Sequence, residues 1–113
     1  MNTTAETTAD QSLLAYVTCP DHTIAEDIAQ ALVATRAAAC VSIVPQLQSV
    51  YRWQGQIETA NEALLMIKTR HGRLDAIRKC LAQRHPDELP ELIAVDISNG
   101  SPAYLDWVLQ ETR

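Results

Sequence analysis

Cys19 and His22 stand in the run Val17-Thr18-Cys19-Pro20-Asp21-His22, a Cys-x-x-His spacing that offers a thiolate and an imidazole to Cu(I) or Zn(II). Two ligands do not complete a metal shell. The same pair also reads as a small apolar residue closing a strand and a solvated turn histidine. Farther along, His85 precedes Pro86 and the acidic pair Asp87-Glu88. That loop can lend an imidazole and carboxylates to a cation at a subunit boundary, or its histidine can simply cap a helix. Cys19 and His85 are the candidate metal ligands. Cys40 and Cys80 fall on apolar faces, where an unreactive buried thiol is the ordinary reading. No third group orients Cys19 or His85 as a nucleophile or base requires, so no enzyme is expected. The glycines Gly55, Gly72 and Gly100 are scattered, which excludes a phosphate-cradling loop.

A second set of residues suits a cleft. Lys68 interrupts an apolar strand and Glu91 stands just before another, which fits either a structural ion pair or an anion-gripping position. Trp53 and Trp107, with Tyr51 and Tyr104, are amphipathic anchors that fit subunit packing better than ligand stacking. Lys68, Trp53, Glu91 and Trp107 are therefore the candidate cleft residues.

The elements that must hold these side chains follow from hydrophobic period and breakers. Leu13 to Thr18 is an apolar run stopped by Cys19-Pro20-Asp21, a first strand. Thr23-Ile24-Ala25-Glu26 has capping-box spacing, and Ile24, Ile28, Ala31 and Leu32 continue at helical period, which predicts a helix to about Ala38. Cys40 to Val44 is a strand that Pro45 bends, after which Leu47, Ser49, Tyr51 and Trp53 share one face. Gly55 marks a turn, and Glu62 to Thr69 returns as a strand apolar on both sides. One side can be covered by the chain's own helices; the other needs a further layer, which points to another subunit. Leu74, Ile77 and Leu81 mark a helix ending before His85-Pro86, Leu92 to Ile97 a fourth strand, and Ser101-Pro102 the start of a terminal helix. The order βαββαβα is an α+β, ferredoxin-like split βαβ sandwich with helices on one sheet face and the other face open.

Length and charge bound the rest. The 113 residues fit one domain, with residues 1–12 as a Thr-rich, acidic tail expected to be disordered and residues 13–113 as the folded unit. An apolar fraction of 47% with 20% charged residues is that of a globular chain. A net charge of −5 disfavours nucleic acid as a partner. No apolar run approaches the roughly 20 residues a membrane helix needs, so no membrane partner is expected. Three widely spaced cysteines suggest no disulfide framework and favour the cytoplasm.

The segments Val17-Thr18-Cys19-Pro20-Asp21, Arg36-Ala37-Ala38-Ala39-Cys40-Val41, Ser49 to Glu58 through Tyr51-Arg52-Trp53, Met66-Ile67-Lys68-Thr69, His85-Pro86, Pro90 to Ala94 and Tyr104 to Trp107 together resemble the CutA divalent-cation-tolerance family. The resemblance runs in order from Leu14 to the C-terminus. It implies a fold like that of the PII signalling proteins and a homotrimer joined through the long β-hairpin. It also implies a role in tolerance of metal ions, with copper or another divalent cation bound and no organic cofactor. In the copper-binding branch the ligands are a first-strand cysteine, here Val17, and two adjacent histidines, here Arg84-His85, so only His85 carries over. The expected function is a trimeric protein of metal-ion response, binding cations through Cys19 and His85. The alternative is a PII-like signalling or scaffold trimer that binds a small molecule or partner protein without metal.

Overall fold

The computed structural model describes residues 8–113. Most of the expected disordered tail, residues 1–7, lies outside the described residues. From Thr8 onward the chain is placed: the carbonyl of Gln11 accepts from the backbone N–H of His71 at 2.8 Å, and Ser12 already belongs to the first strand.

Strand alternation sets the layers, since successive side chains point to opposite faces. In β1 (Ser12–Cys19) the odd residues Leu13, Ala15, Val17 and Cys19 are buried, while Leu14, Tyr16 and Thr18 are only partly so. The strand β3 (Gln56–Arg70) repeats the pattern with Ala63, Leu65, Ile67 and Thr69. These rows face α1 (His22–Ala34) and α2 (Leu74–Arg84), whose Ile28, Leu32, Ile77 and Leu81 complete one core. With β2 (Cys40–Trp53) and β4 (Ile93–Asp96) the sheet is antiparallel in the order β2-β3-β1-β4. α3 (Pro102–Glu111) closes the expected βαββαβα order, and the fold is ferredoxin-like.

Three local features depart from the expectation. The cap of α1 is Asp21 and not the Thr23–Glu26 box: its Oδ1 accepts from the Ile24 N–H at 2.8 Å. The same helix stops at Ala34, four residues early, because Arg36 takes a left-handed backbone (φ 63°) and Ala38 N–H bonds back to the Leu32 carbonyl. Ala37 to Ala39 then run buried into β2, where the Thr69 hydroxyl donates to the Ala37 carbonyl at 2.7 Å. Nor do all the helices share one face. The Arg70 guanidinium donates to the Thr112 carbonyl at 2.9 Å and Tyr104 sits beside Cys40, both on the side away from α1 and α2. α3 therefore closes one end of the otherwise open face.

The β2–β3 hairpin reaches past the helices. Pro45 has no N–H for the ladder, Gln46 is left-handed (φ 58°), and the register shifts between Val44 and Leu47. Gln54 and Gly55, both at positive φ, make the tight turn. Beyond the bulge Val50 and Ile57 are 67% and 70% exposed; on the open face Ile93 and Val95 are 56% and 54% exposed. Leu65 has no exposed surface and lies at the centre of β3 against α1 and α2. Leu65→Ala is expected to cost about 2–5 kcal/mol of stability in urea denaturation, the penalty of a buried leucine deletion.

Candidate functional site

Cys19 ends β1 on its buried side, inside the core cluster. Burial first, then the carboxylates of Asp87, Glu62 and Asp21, push its thiol up to about 12. A metal takes the thiolate, so binding here would have to displace a proton that burial and the neighbouring carboxylates hold more tightly than usual. His22, three residues on, is outside: its Nε2 lies 3.8 Å from Glu26 Oε2 on the exposed first turn of α1. The Cys-x-x-His spacing therefore does not converge.

His85 is buried at the C-cap of α2 with both ring nitrogens in use. Its Nε2 is 2.8 Å from the Thr18 carbonyl, and the Asp87 backbone N–H donates to Nδ1 at 3.1 Å. A carbonyl only accepts, so the network assigns the proton to Nε2 and occupies the lone pair of Nδ1. Neither nitrogen is left for a cation. Among the described residues, no three His, Cys, Asp or Glu side chains are placed to hold a metal ion. Cys19 and His85 do share one end of β1, yet as a core thiol and a clamp rather than a preformed ligand pair. The clamp ties the end of α2 to β1 and fixes the start of the 86–92 loop.

That loop forms one wall of a cleft of about 670 Å³. The cleft is also lined by β2 beyond its bulge, from Ser49 to Trp53, and by Thr18 and Glu62. The loop contributes Asp87, Glu88, Leu89 and Glu91. A smaller hollow of about 490 Å³ lies between α2 and the same loop, lined by Leu74, Leu81, Pro90 and Leu92 among others.

The four expected cleft residues separate. Trp53 and Glu91 line the cleft. Lys68 lies elsewhere, where its Nζ donates to Ser42 Oγ at 2.6 Å and approaches Cys40 Sγ at 3.8 Å; it takes no carboxylate among the described residues. Trp107 belongs to α3 and packs on Tyr104, ring centroids 5.6 Å apart. Sequence reasoning missed Glu62, Arg52 and Ser49. The bulge pairs Glu62 with Leu47, and the acid directly before an apolar strand was the signal for it.

The four-stranded antiparallel sheet with its overreaching hairpin defines a small ferredoxin-like α+β protein. Residues 13–111 match the family described as CutA1 divalent ion tolerance protein. The chain is 48% identical over 94 residues to a CutA homolog of Xenopus laevis, covering 83% of this chain and 62% of that protein. It is 42% identical over 96 residues to the divalent-cation tolerance protein CutA of Thermus thermophilus, covering 85% and 93%. It also superposes on the crystal structure of CutA from Xylella fastidiosa with a TM-score of 0.87 at 46% identity, over 91% of this chain and 99% of that one. The chain belongs to the CutA1 divalent ion tolerance family. It spans only about three fifths of the length of the Xenopus relative.

Two outcomes follow from the site. Removing the imidazole in His85→Ala leaves the Thr18 carbonyl and the Asp87 N–H without partners, a loss of about 1–3 kcal/mol in urea denaturation. For Cys19 the unfolded thiol ionises near 9 and the folded one near 12. Between these values the folded state keeps a proton that the unfolded state has lost, so stability falls as pH rises through that window. Denaturation over this alkaline range should show a shallower fall for Cys19→Ala than for the natural chain.

Proposed function

We propose that the chain acts as a homotrimer in the cellular response to divalent cations, binding its ligand in the cleft between the β2–β3 hairpin and the 86–92 loop and catalysing no reaction. The observation that carries this reading is the placement of donors. Glu62, Asp87, Glu88 and Glu91 line one cleft, while the thiol and imidazole next to it are closed off. Carboxylate oxygens suit hard and borderline divalent ions. Copper enters as Cu(II), which accepts oxygen donors, and not as Cu(I) on Cys19.

The trimer is supported by uncovered apolar residues, Ile93 and Val95 on the open face of the sheet and Val50 and Ile57 on the hairpin, which a monomer would leave in water. A non-enzymatic role is supported by a protonated Cys19 and a fully engaged His85. Placement in the cytoplasm is supported by three unpaired cysteines. Among the described residues no helix is long and apolar enough to cross a membrane. The second reading, a PII-like trimer binding a small molecule without metal, is favoured by the rings of Tyr51 and Trp53 in the same cleft.

Calorimetric titration with Mn(II), Zn(II) and Cu(II) tests the donor assignment, with sedimentation equilibrium on the same samples expected to return three chains per particle. The double variant Glu62→Gln, Asp87→Asn should weaken divalent-ion binding by about tenfold or more, equivalent to about 1.4 kcal/mol. Cys19→Ala should leave it unchanged. Binding that survives the first variant and collapses in the second would return the site to Cys19.

A further inference from the structure

We propose that α3 is a strap over one end of the open sheet face, hinged at the 98–101 loop and latched at its far end by Arg70, and that it releases together with the 8–10 segment while the core stays folded. The proposal does not depend on what the cleft binds.

Little apolar burial holds this helix. α1 buries Ala25, Ile28, Ala29 and Leu32, and α2 buries Ile77, Cys80 and Leu81, whereas the ten residues of α3 bury Val108 alone. Isolated helices shorter than about 12–15 residues are marginal in water, so the anchors of α3 decide whether it is docked. Its start is weakly held: the Ser101 side chain caps no N–H, and Tyr104 meets the Cys40 thiol while its ring and that of Trp107 stay exposed.

The far end is tied down. Arg70 donates to the Thr112 carbonyl from Nη2 at 2.9 Å and from Nε at 3.3 Å, to the Thr112 hydroxyl from Nε at 3.2 Å, and to the Ala9 carbonyl from Nη1 at 3.2 Å. Arg36 adds a bond to the Glu111 carbonyl at 3.3 Å. The last carbonyls of a helix have no partner within it, and here two guanidinium groups take that place. One fork thus grips both terminal segments at once.

Gly72 fits the same latch. It is not at positive φ, so the backbone conformation does not call for a glycine. A Cβ at this position would lie 2.5 Å from Arg70 Nη1 and 3.1 Å from the Ala9 carbonyl oxygen. The missing side chain leaves room for the guanidinium and the segment it holds. The covered end shows in β1, where Ser12, opposite Arg70 in the register, is buried while Leu14, Tyr16 and Thr18 along the same face are only partly so. Lifting α3 uncovers that end, so the strap sets how much of the open face is available.

Amide hydrogen exchange of the assembled protein, followed residue by residue by NMR, tests the device. In the natural chain the amides of residues 106–111 should exchange about tenfold or more faster than those of Ile28, Leu32 and Ile77. Arg70→Gln removes charged hydrogen bonds and should speed residues 106–111 about tenfold further, with the Gln11 amide, which bonds to the Thr8 carbonyl, rising alongside and the α1 and α2 amides unchanged. Gly72→Ala keeps the arginine but takes its space, and should give the same local pattern. Arg78→Gln, which breaks only the exposed pair with Asp75, should move neither segment. Exchange that rises in α1 and α2 as much as in α3 makes Arg70 a residue of global stability and overturns the proposal. Amides of α3 as slow as those of the core in the natural chain, or unmoved by both Arg70→Gln and Gly72→Ala, overturn it as well.

Discussion

The central strand β3 is apolar on both faces, and its own chain covers only one of them. Leu65 and Ile67 meet α1 and α2 and are fully buried; Leu64 and Met66 on the other side are only partly covered. Burying apolar area is the main favourable term in folding, at roughly 25 cal/mol per Å². A sheet face left half wet is therefore an unfinished core. The rest of the design follows from it: β4 adds exposed Ile93 and Val95 beside Leu14 and Tyr16, and α3 closes one end. The hairpin continues the same sheet beyond any helix of its own chain. The bulge at Pro45 matters because it restarts the alternation, which sets Leu47, Ser49, Tyr51 and Trp53 opposite Glu62, Ala60, Glu58 and Gln56.

The residues with the most obvious chemistry are the ones the fold has put to structural use. Cys19 behaves as a small apolar side chain at a strand end, and the nearby carboxylates make ionising it still harder. His85 uses both nitrogens on backbone groups, one from β1 and one from the loop. Buried polar groups must find partners, and an imidazole with one donor and one acceptor satisfies a carbonyl and an N–H together. The same clamp presents Asp87 and Glu88 to the cleft. Its role in the fold is to hold the start of that loop against the end of β1.

Different levels of the structure leave traces of different strength in the sequence. The order of elements, the turn at Gly55 and the doubly apolar strand were legible because each leaves a period or a breaker in the chain. The early end of α1 was not, since Arg36 is no sequence signal for a left-handed residue and Ala37 to Ala39 look helical by propensity. The Asp21 cap was hidden by a better-looking box two residues downstream. Trp53 and Glu91 line the cleft, while Lys68 sits on β3 opposite Cys40, away from the hairpin end, and Trp107 goes with α3, placements that depend on tertiary packing and leave no mark in the sequence. The use of His85 was undecidable in one dimension: a metal ligand and a helix cap have the same neighbours in sequence, and only the Thr18 carbonyl separates them.

The geometry of the acidic cleft also bears on what tolerance of cations means physically. A site that binds a bare ion tightly must replace most of its hydration shell with converging oxygens, and Mg²⁺ in particular dehydrates reluctantly. In the proposed reading the cleft would hold a cation with part of its water in place, through contacts that are each weak and are screened over about 8–10 Å at physiological salt. Three chains would bring three such clefts into one particle, and β2 supplies a cleft wall through Ser49 to Trp53 while carrying the surface that calls for a partner. Assembly and ligand binding would then act on the same strand, so a ligand that stiffens the hairpin would favour the trimer by the same free energy with which the trimer favours the ligand.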